Sequence, residues 1–241
     1  MNKEIILITG ASSDIGSEIL KKISSKKNTI VATYNKNDLN NFVKKEKNIL
    51  KFKVDFNKKL ELKNFIDLIS KRNLIPSKFI HIASNPLQIS PFTKLSYGDF
   101  EKCLNIQLRS LIMIMKEIIP SMKKNNFGKI LVLLSSVTIG EPPSSMSSYV
   151  TTKYAMLGFI RSIASEYSKN RIAINAISPG MIETKFLSNI PKKIYELNAQ
   201  RVPFGRNTEI KDIVPLIEFL LSDKSAFITG ANIPVTGGLN F

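Results

Sequence analysis

Tyr149 and Lys153 stand four residues apart in Tyr149-Val150-Thr151-Thr152-Lys153, a spacing that puts both side chains on one face of a helix. A free phenol, with a pKa near ~10, is a poor proton relay at neutral pH, and a cation held beside it favours the phenolate and lowers that value. The pair therefore suits proton transfer at a substrate oxygen. By itself the spacing is common, and a helix-surface Tyr and Lys are the plain alternative. What adds weight is Ser136, thirteen residues before Tyr149 at the end of an apolar run, where its hydroxyl is expected to meet the phenol across a cleft. Twenty-six residues beyond Tyr149 comes Asn175, followed by Pro179-Gly180-Met181-Ile182-Glu183-Thr184.

A second constellation lies near the start of the chain, in Thr9-Gly10-Ala11-Ser12-Ser13-Asp14-Ile15-Gly16. Gly10 allows a sharp strand-to-helix turn and Gly16 a close approach of helix to strand. The free N–H groups opening the helix can then bind a pyrophosphate, assisted by the helix dipole. A structural turn needs glycine too, but the first strand-helix junction of an α/β chain is where a dinucleotide binds. At the end of the second strand, Thr33-Tyr34-Asn35-Lys36 has no carboxylate for a ribose 2′-hydroxyl and offers a lysine to a 2′-phosphate, which favours NADP(H) over NAD(H). Asp55 ends the third strand, where an Asp is a common turn residue. The one histidine, His81, is expected to be a packing residue.

These residues need elements to position them. Short β-branched runs at Glu4–Thr9, Thr29–Thr33, Ile49–Asp55, Phe79–Ala83, Lys129–Ser136, Ile172–Pro179 and Asn232–Thr236 read as strands. Most are apolar along their length, as strands buried on both faces are. Helical periodicity runs over Ile15–Lys26, Lys59–Lys71, Tyr97–Lys124, Tyr149–Lys169 and Ile210–Leu221, with Pro120 expected to kink or interrupt the third. The alternation predicts an α/β fold, a single doubly wound Rossmann-type domain over residues 1–241, with a central parallel sheet and helices on both faces. The least regular stretch, 184–206, reads as a substrate lid with a short helix around Lys192–Ala199.

With 241 residues, 43% hydrophobic and 22% charged, the chain is long enough for a large core and too apolar for a disordered one. A lone cysteine, Cys103, cannot form an internal disulfide or a Cys-rich metal site, so no metal and a reducing, cytoplasmic setting are expected. No apolar run approaches the ~20 residues of a membrane span. The net charge of +16 comes from scattered lysines (Lys21, Lys22, Lys26, Lys27, Lys44, Lys45, Lys58, Lys59) with no interleaved aromatic platform, and reads as a solvated surface, not a nucleic-acid site.

Taken together, the Gly10–Gly16 turn, Ser136, Tyr149, Lys153 and the Pro179-Gly180 motif resemble the short-chain dehydrogenase/reductase family, of the 3-oxoacyl-carrier-protein reductase kind, from about Lys3 onward. The resemblance implies that Ser136 polarises the substrate oxygen, Tyr149 transfers its proton, and Lys153 binds the nicotinamide ribose and tunes Tyr149. It assigns Gly10, Ser12, Ser13, Asp14, Ile15, Gly16, Asn35, Lys36, Asp55, Ala83, Tyr149, Lys153, Pro179, Gly180, Ile182 and Thr184 to the cofactor, the last two beside the nicotinamide. It also implies a homotetramer and a carbonyl or alcohol substrate, free or bound to a carrier protein. Two positions depart from the pattern. Asp14 stands where the family has a glycine and is expected to point away and cap the helix. Gln107 stands where the family has a catalytic Asn that holds a water leading from Lys153. Epimerases or dehydratases on the same fold tend to be longer, and a weakly active cofactor-binding homologue would not need Ser136, Tyr149 and Lys153 together. Lys185, Lys192, Lys193, Arg201 and Arg206 read as basic surface before they read as a site for an acidic carrier or a phosphorylated substrate.

Overall fold

A computed structural model describes residues 4–25, 27–39 and 48–239. Seven strands form one sheet in the order β3-β2-β1-β4-β5-β6-β7, every neighbouring pair parallel. They are β1 Glu4–Thr9, β2 Asn28–Tyr34, β3 Ile49–Lys53, β4 Lys78–His81, β5 Gly128–Leu133, β6 Ile172–Pro179 and β7 Asn232–Val235. The helices between them are α1 Asp14–Ile23, α2 Lys59–Lys71, α3 Tyr97–Leu104, α4 Ser110–Lys124, α5 Ser147–Tyr167, α6 Lys192–Arg201 and α7 Ile210–Leu221. Two apolar layers sandwich the sheet. Leu62, Phe65 and Ile69 of α2, Leu111, Ile114 and Ile118 of α4, and Met156 and Ile160 of α5 bury one face; Ile19 and Leu20 of α1 with Ile213, Ile217 and Leu220 of α7 bury the other. All eight residues of β6 are buried, as a strand covered on both sides requires. Strand order reverses between β1 and β4, and the carboxyl ends of those strands open the crevice in which such sheets bind ligands.

Pro120 does not interrupt its helix. It sits on the exposed side of α4, where water can take the Lys116 carbonyl that loses its donor, and α4 continues to Lys124. The break expected within Tyr97–Lys124 falls earlier, at a π-turn over Asn105–Arg109 that separates α3 from α4. Strand β5 is also shorter than its apolar run. It ends at Leu133, and Ser136 opens a 3₁₀ turn, Ser136–Thr138, in place of ending the strand. Helix α5 begins at Ser147, two residues before the phenol, so Tyr149 lies in its first turn. Helix α1 ends at Ile23; Lys26, Lys44 and Lys45, named above as surface charges, lie outside the described residues. Among the described residues no helix is long and apolar enough to cross a membrane, and no His, Cys, Asp and Glu group could hold a metal ion.

Candidate active site

At the carboxyl ends of the strands lies a cavity of about 800 Å³. Its walls include Gly10, Ser12, Ser13, Asp14, Ile15, Asn35, Lys36, Asp55, Ala83, Ser136, Tyr149, Lys153, Pro179, Gly180, Ile182 and Thr184, so sixteen of the sequence-predicted residues meet on one surface. Gly16 and Gln107 do not reach it. Gly16 works from behind the wall: a Cβ there would stand 2.6 Å from the Gly10 carbonyl oxygen. Gly10 has φ +70°, and a Cβ on it would meet the Ala83 backbone at 2.9 Å. The turn can therefore be built only with glycine at both places, which brings α1 hard against the Gly10 turn and that turn against the residues that follow β4.

Ser13, not Asp14, caps α1: its hydroxyl accepts from the Gly16 N–H at 3.0 Å. Asp14 is the first helical residue, and its carboxylate accepts the Lys185 N–H at 2.7 Å. The expected helix cap is thus corrected. A side chain on the first turn projects outward, and here it meets the segment that follows β6.

Tyr149 is 9% exposed, and burial pushes its phenol up to about 12. A hydrogen bond with the Ser135 side chain partly offsets that rise. Ser135 and Ser136, the latter thirteen residues back from Tyr149, both line the cavity. Ser135 is extended (φ −170°, ψ 155°) and its hydroxyl accepts from the Val137 N–H at 3.4 Å, starting the 3₁₀ turn that Ser136 opens. Lys153 is buried, with Nζ 5.5 Å from the Tyr149 ring centroid and donating to the Leu133 carbonyl at 2.8 Å. Burial lowers its pKa to about 7. The cation expected to draw the phenol down is thus itself weakened by burial, and desolvation dominates both groups.

Gln107 sits fully buried on the π-turn. Its Nε2 donates to Asn85 Oδ1 at 3.3 Å, and its Oε1 has no hydrogen-bond partner among the described residues. Asn85 does line the cavity, so the Gln107 amide touches the site through it. His81 occupies the Gln107 main-chain carbonyl: Nε2 lies 2.9 Å from that oxygen and Nδ1 2.8 Å from the Thr9 hydroxyl. A carbonyl only accepts, so Nε2 carries the proton and Nδ1 accepts from Thr9. Asn175 is structural, donating to the Ile228 carbonyl and accepting from the Ala231 N–H.

Asp55 makes a turn at the edge of the cavity. Its Oδ1 accepts the Asn57 N–H at 3.0 Å, closing the turn, while the residue lines the cavity. Sequence reasoning missed Arg109, at the end of the π-turn, which donates to the Phe56 and Asn57 carbonyls at 2.9 Å and ties that turn down. It also missed the apolar end of the cavity, where Leu87, Val137, Leu187 and Ile190 cluster with Met146 and Phe186 around Tyr149. No motif marks these positions, because any apolar side chain serves. Of the five basic residues near the lid, Lys185 and Arg201 line the cavity, whereas Lys192 and Lys193 do not, and Arg206 is paired with Asp212 at both carboxylate oxygens.

A parallel doubly wound sheet with a glycine-built turn at its crevice, and a buried Tyr and Lys with a half-buried Ser beside it, defines a dinucleotide-dependent oxidoreductase. The comparisons agree. A family model described as enoyl-(acyl carrier protein) reductase matches residues 10–240. The 3-oxoacyl-[acyl-carrier-protein] reductase FabG of Rickettsia conorii is 30% identical over 237 residues, covering 97% of this chain and 95% of that protein. FabG of Buchnera aphidicola subsp. Schizaphis graminum is 29% identical, over 99% and 98% of the two chains. Among solved structures, a 4-hydroxyisoleucine dehydrogenase complexed with NADH superposes with a TM-score of 0.90 at 28% identity, over 98% of both chains. The chain belongs to the short-chain dehydrogenase/reductase family, whose members are nicotinamide-dependent oxidoreductases.

Proposed function

We propose that this protein interconverts a carbonyl and a secondary alcohol, using NADP(H) in preference to NAD(H), with Tyr149 as the general acid and base. The observation that carries the reading is the meeting of Tyr149, Ser135 and Lys153 on the wall of the cavity that begins at the Gly10 turn. The protein forms one Rossmann-type unit, with residues 184–206 as the lid over the substrate.

The residues present fit a dinucleotide. Any Cβ at Gly10 or Gly16 would rebuild the turn, and the N–H groups that open α1 border the cavity beside Ser12 and Ser13. Gly10, Ser12, Ser13 and Ile15 would hold the diphosphate, Asp55 and Ala83 the adenosine side, and Pro179, Gly180, Ile182 and Thr184 the nicotinamide. When bound, the nicotinamide supplies or accepts the hydride. The chain does the rest. In reduction, the Tyr149 phenol, held protonated by burial, gives its proton to the substrate oxygen. Ser135 hydrogen-bonds that oxygen and the phenol, and charged Lys153 stabilises the phenolate left behind. Alcohol oxidation runs the same proton transfer in reverse.

The preference for NADP(H) is supported by the end of β2. Tyr34, Asn35, Lys36 and Asn37 line the cavity with no carboxylate among them, and the next acid, Asp38, lies off the wall, 4.0 Å from Lys51. The apolar end built from Leu87, Val137, Leu187 and Ile190 suits a substrate with a hydrocarbon body, in keeping with the 3-oxoacyl-carrier substrates named for the relatives. A cytoplasmic homotetramer is the assembly proposed, and the fully exposed Phe227 with the exposed Phe204 offers apolar surface for it. Light scattering at micromolar concentration should return four times the chain mass. The function is tested by following NADPH absorbance over a panel of 3-oxoacyl thioesters and small ketones. Turnover of at least one, faster with NADPH, is expected, and silence across the panel with both cofactors would sink the proposal.

A further inference from the structure

The contact between Asp14 and Lys185 joins two parts of the chain that are 171 residues apart in sequence. Asp14 stands on the first turn of α1, inside the cavity wall that would hold the diphosphate. Lys185 opens a short 3₁₀ turn, Lys185–Leu187, within the segment that leaves β6. Its backbone is flanked by two residues that face the reacting end. Thr184 lines the cavity on one side, and on the other Phe186 lies against Tyr149 with ring centroids 5.8 Å apart.

The carboxylate is well placed as an anchor. It accepts a backbone N–H, a charge-assisted hydrogen bond stronger than a neutral one. On either side of that N–H in the chain are Thr184 and Phe186, the residues whose placement the chemistry depends on. A glycine or alanine at position 14 would leave the Lys185 N–H without this acceptor. The strap would then be held by the 3₁₀ turn, by Phe186, Leu187 and Ile190 in the apolar cluster, and by the Tyr195 hydroxyl on the Leu187 carbonyl.

We infer that Asp14 is a positioning residue: it latches the strap 184–187 onto the cofactor turn, closing it over the dinucleotide and seating Phe186 against Tyr149. The inference rests on the reading of the cavity as a dinucleotide site. It assigns Asp14 a purpose that helix capping does not supply, since Ser13 already caps α1. It also means that cofactor exchange requires this hydrogen bond to open.

The test uses the whole protein and needs no substrate. Amide hydrogen exchange is measured on wild type, Asp14→Ala and Asp14→Asn without cofactor, and NADPH dissociation is followed by nicotinamide fluorescence in stopped flow. Asp14→Ala should speed exchange at Lys185, and NADPH release, by about tenfold each, the scale for losing one charge-assisted hydrogen bond. Asp14→Asn keeps an acceptor oxygen and loses only the charge. It should restore slow exchange and give release at the wild-type rate or slower. Unchanged Lys185 exchange in Asp14→Ala overturns the latch. Faster exchange with unchanged NADPH release overturns its role in holding the cofactor, as does failure of Asp14→Asn to rescue either. If wild type binds neither NADPH nor NADH, the dinucleotide reading of the cavity fails, and the Lys185 exchange difference still shows whether the contact exists.

Discussion

His81 Nε2 donates to the main-chain carbonyl of Gln107 across 2.9 Å, so the imidazole at the end of β4 occupies a carbonyl exposed by the π-turn. The ring is fully buried, and burial lowers its pKa to about 3, with the charge of Lys153 adding to the effect. In the unfolded chain the group titrates near ~6.5. Its folded value is depressed, so its contribution to stability is complete above that pH and is lost progressively as the pH falls toward about 3. One such group changes stability by at most about 1.4 kcal/mol per pH unit. Urea unfolding at pH 7, 5.5 and 4.5 should show wild type losing stability faster than His81→Asn, and parallel losses would show that His81 is not the source.

Ser135 and Ser136 are separated by one sharp test. Removing the hydroxyl that faces Tyr149 should slow turnover by about a hundredfold, whereas Ser136→Ala should stay within a few-fold of wild type. Tyr149→Phe removes the donor itself and should lower turnover by about 10²–10⁴-fold with NADPH affinity little changed. The reverse order for the two serines would restore Ser136 to the role that spacing gives it.

Asn35 marks the end of β2 at the cavity wall. A carboxylate introduced there would repel a 2′-phosphate and accept from a ribose 2′-hydroxyl. Asn35→Asp should therefore weaken NADPH binding and strengthen NADH binding, shifting their ratio by about tenfold or more, the scale of one charge-assisted contact. A ratio that does not move in titrations with both cofactors would place the adenosine ribose elsewhere.

Lys153 gives a second pH signature, on the alkaline side. Burial depresses its pKa to about 7 from the 10.5 of an exposed lysine. Between those values the unfolded chain binds the proton that the folded chain has released, so stability rises with pH across that window and the contribution is lost as pH falls through 7. Lys153→Met removes the titration. The stability difference between wild type and Lys153→Met should change in favour of wild type from pH 7 to pH 9, and a difference independent of pH would mean that the ammonium is solvated.

The sequence by itself determined the layered fold and most of the cavity wall. Short apolar runs such as Ile172–Pro179, alternating with longer helical patterns, read as strands covered on both faces, and the helices between them supply that cover. Gly10, Gly16, Tyr149 and Lys153 were legible because each is held to its residue type by backbone conformation or by chemistry at a fixed local spacing. Element ends were not legible, since Pro120 is tolerated on a solvated helix face and β5 stops at Leu133 while its apolar run continues. That early stop puts Ser135 and Ser136 in a turn at the cavity wall, and counting residues cannot register it. Tertiary structure also decided the partners of Asp14, Gln107 and His81. Their contacts join segments 171 and 26 residues apart, and such pairings are set by how the crossovers bring strand ends together, not by any local pattern. The apolar end of the cavity was invisible for a different physical reason: burial there selects volume and hydrophobicity, properties that Leu187 and Ile190 share with the rest of the core.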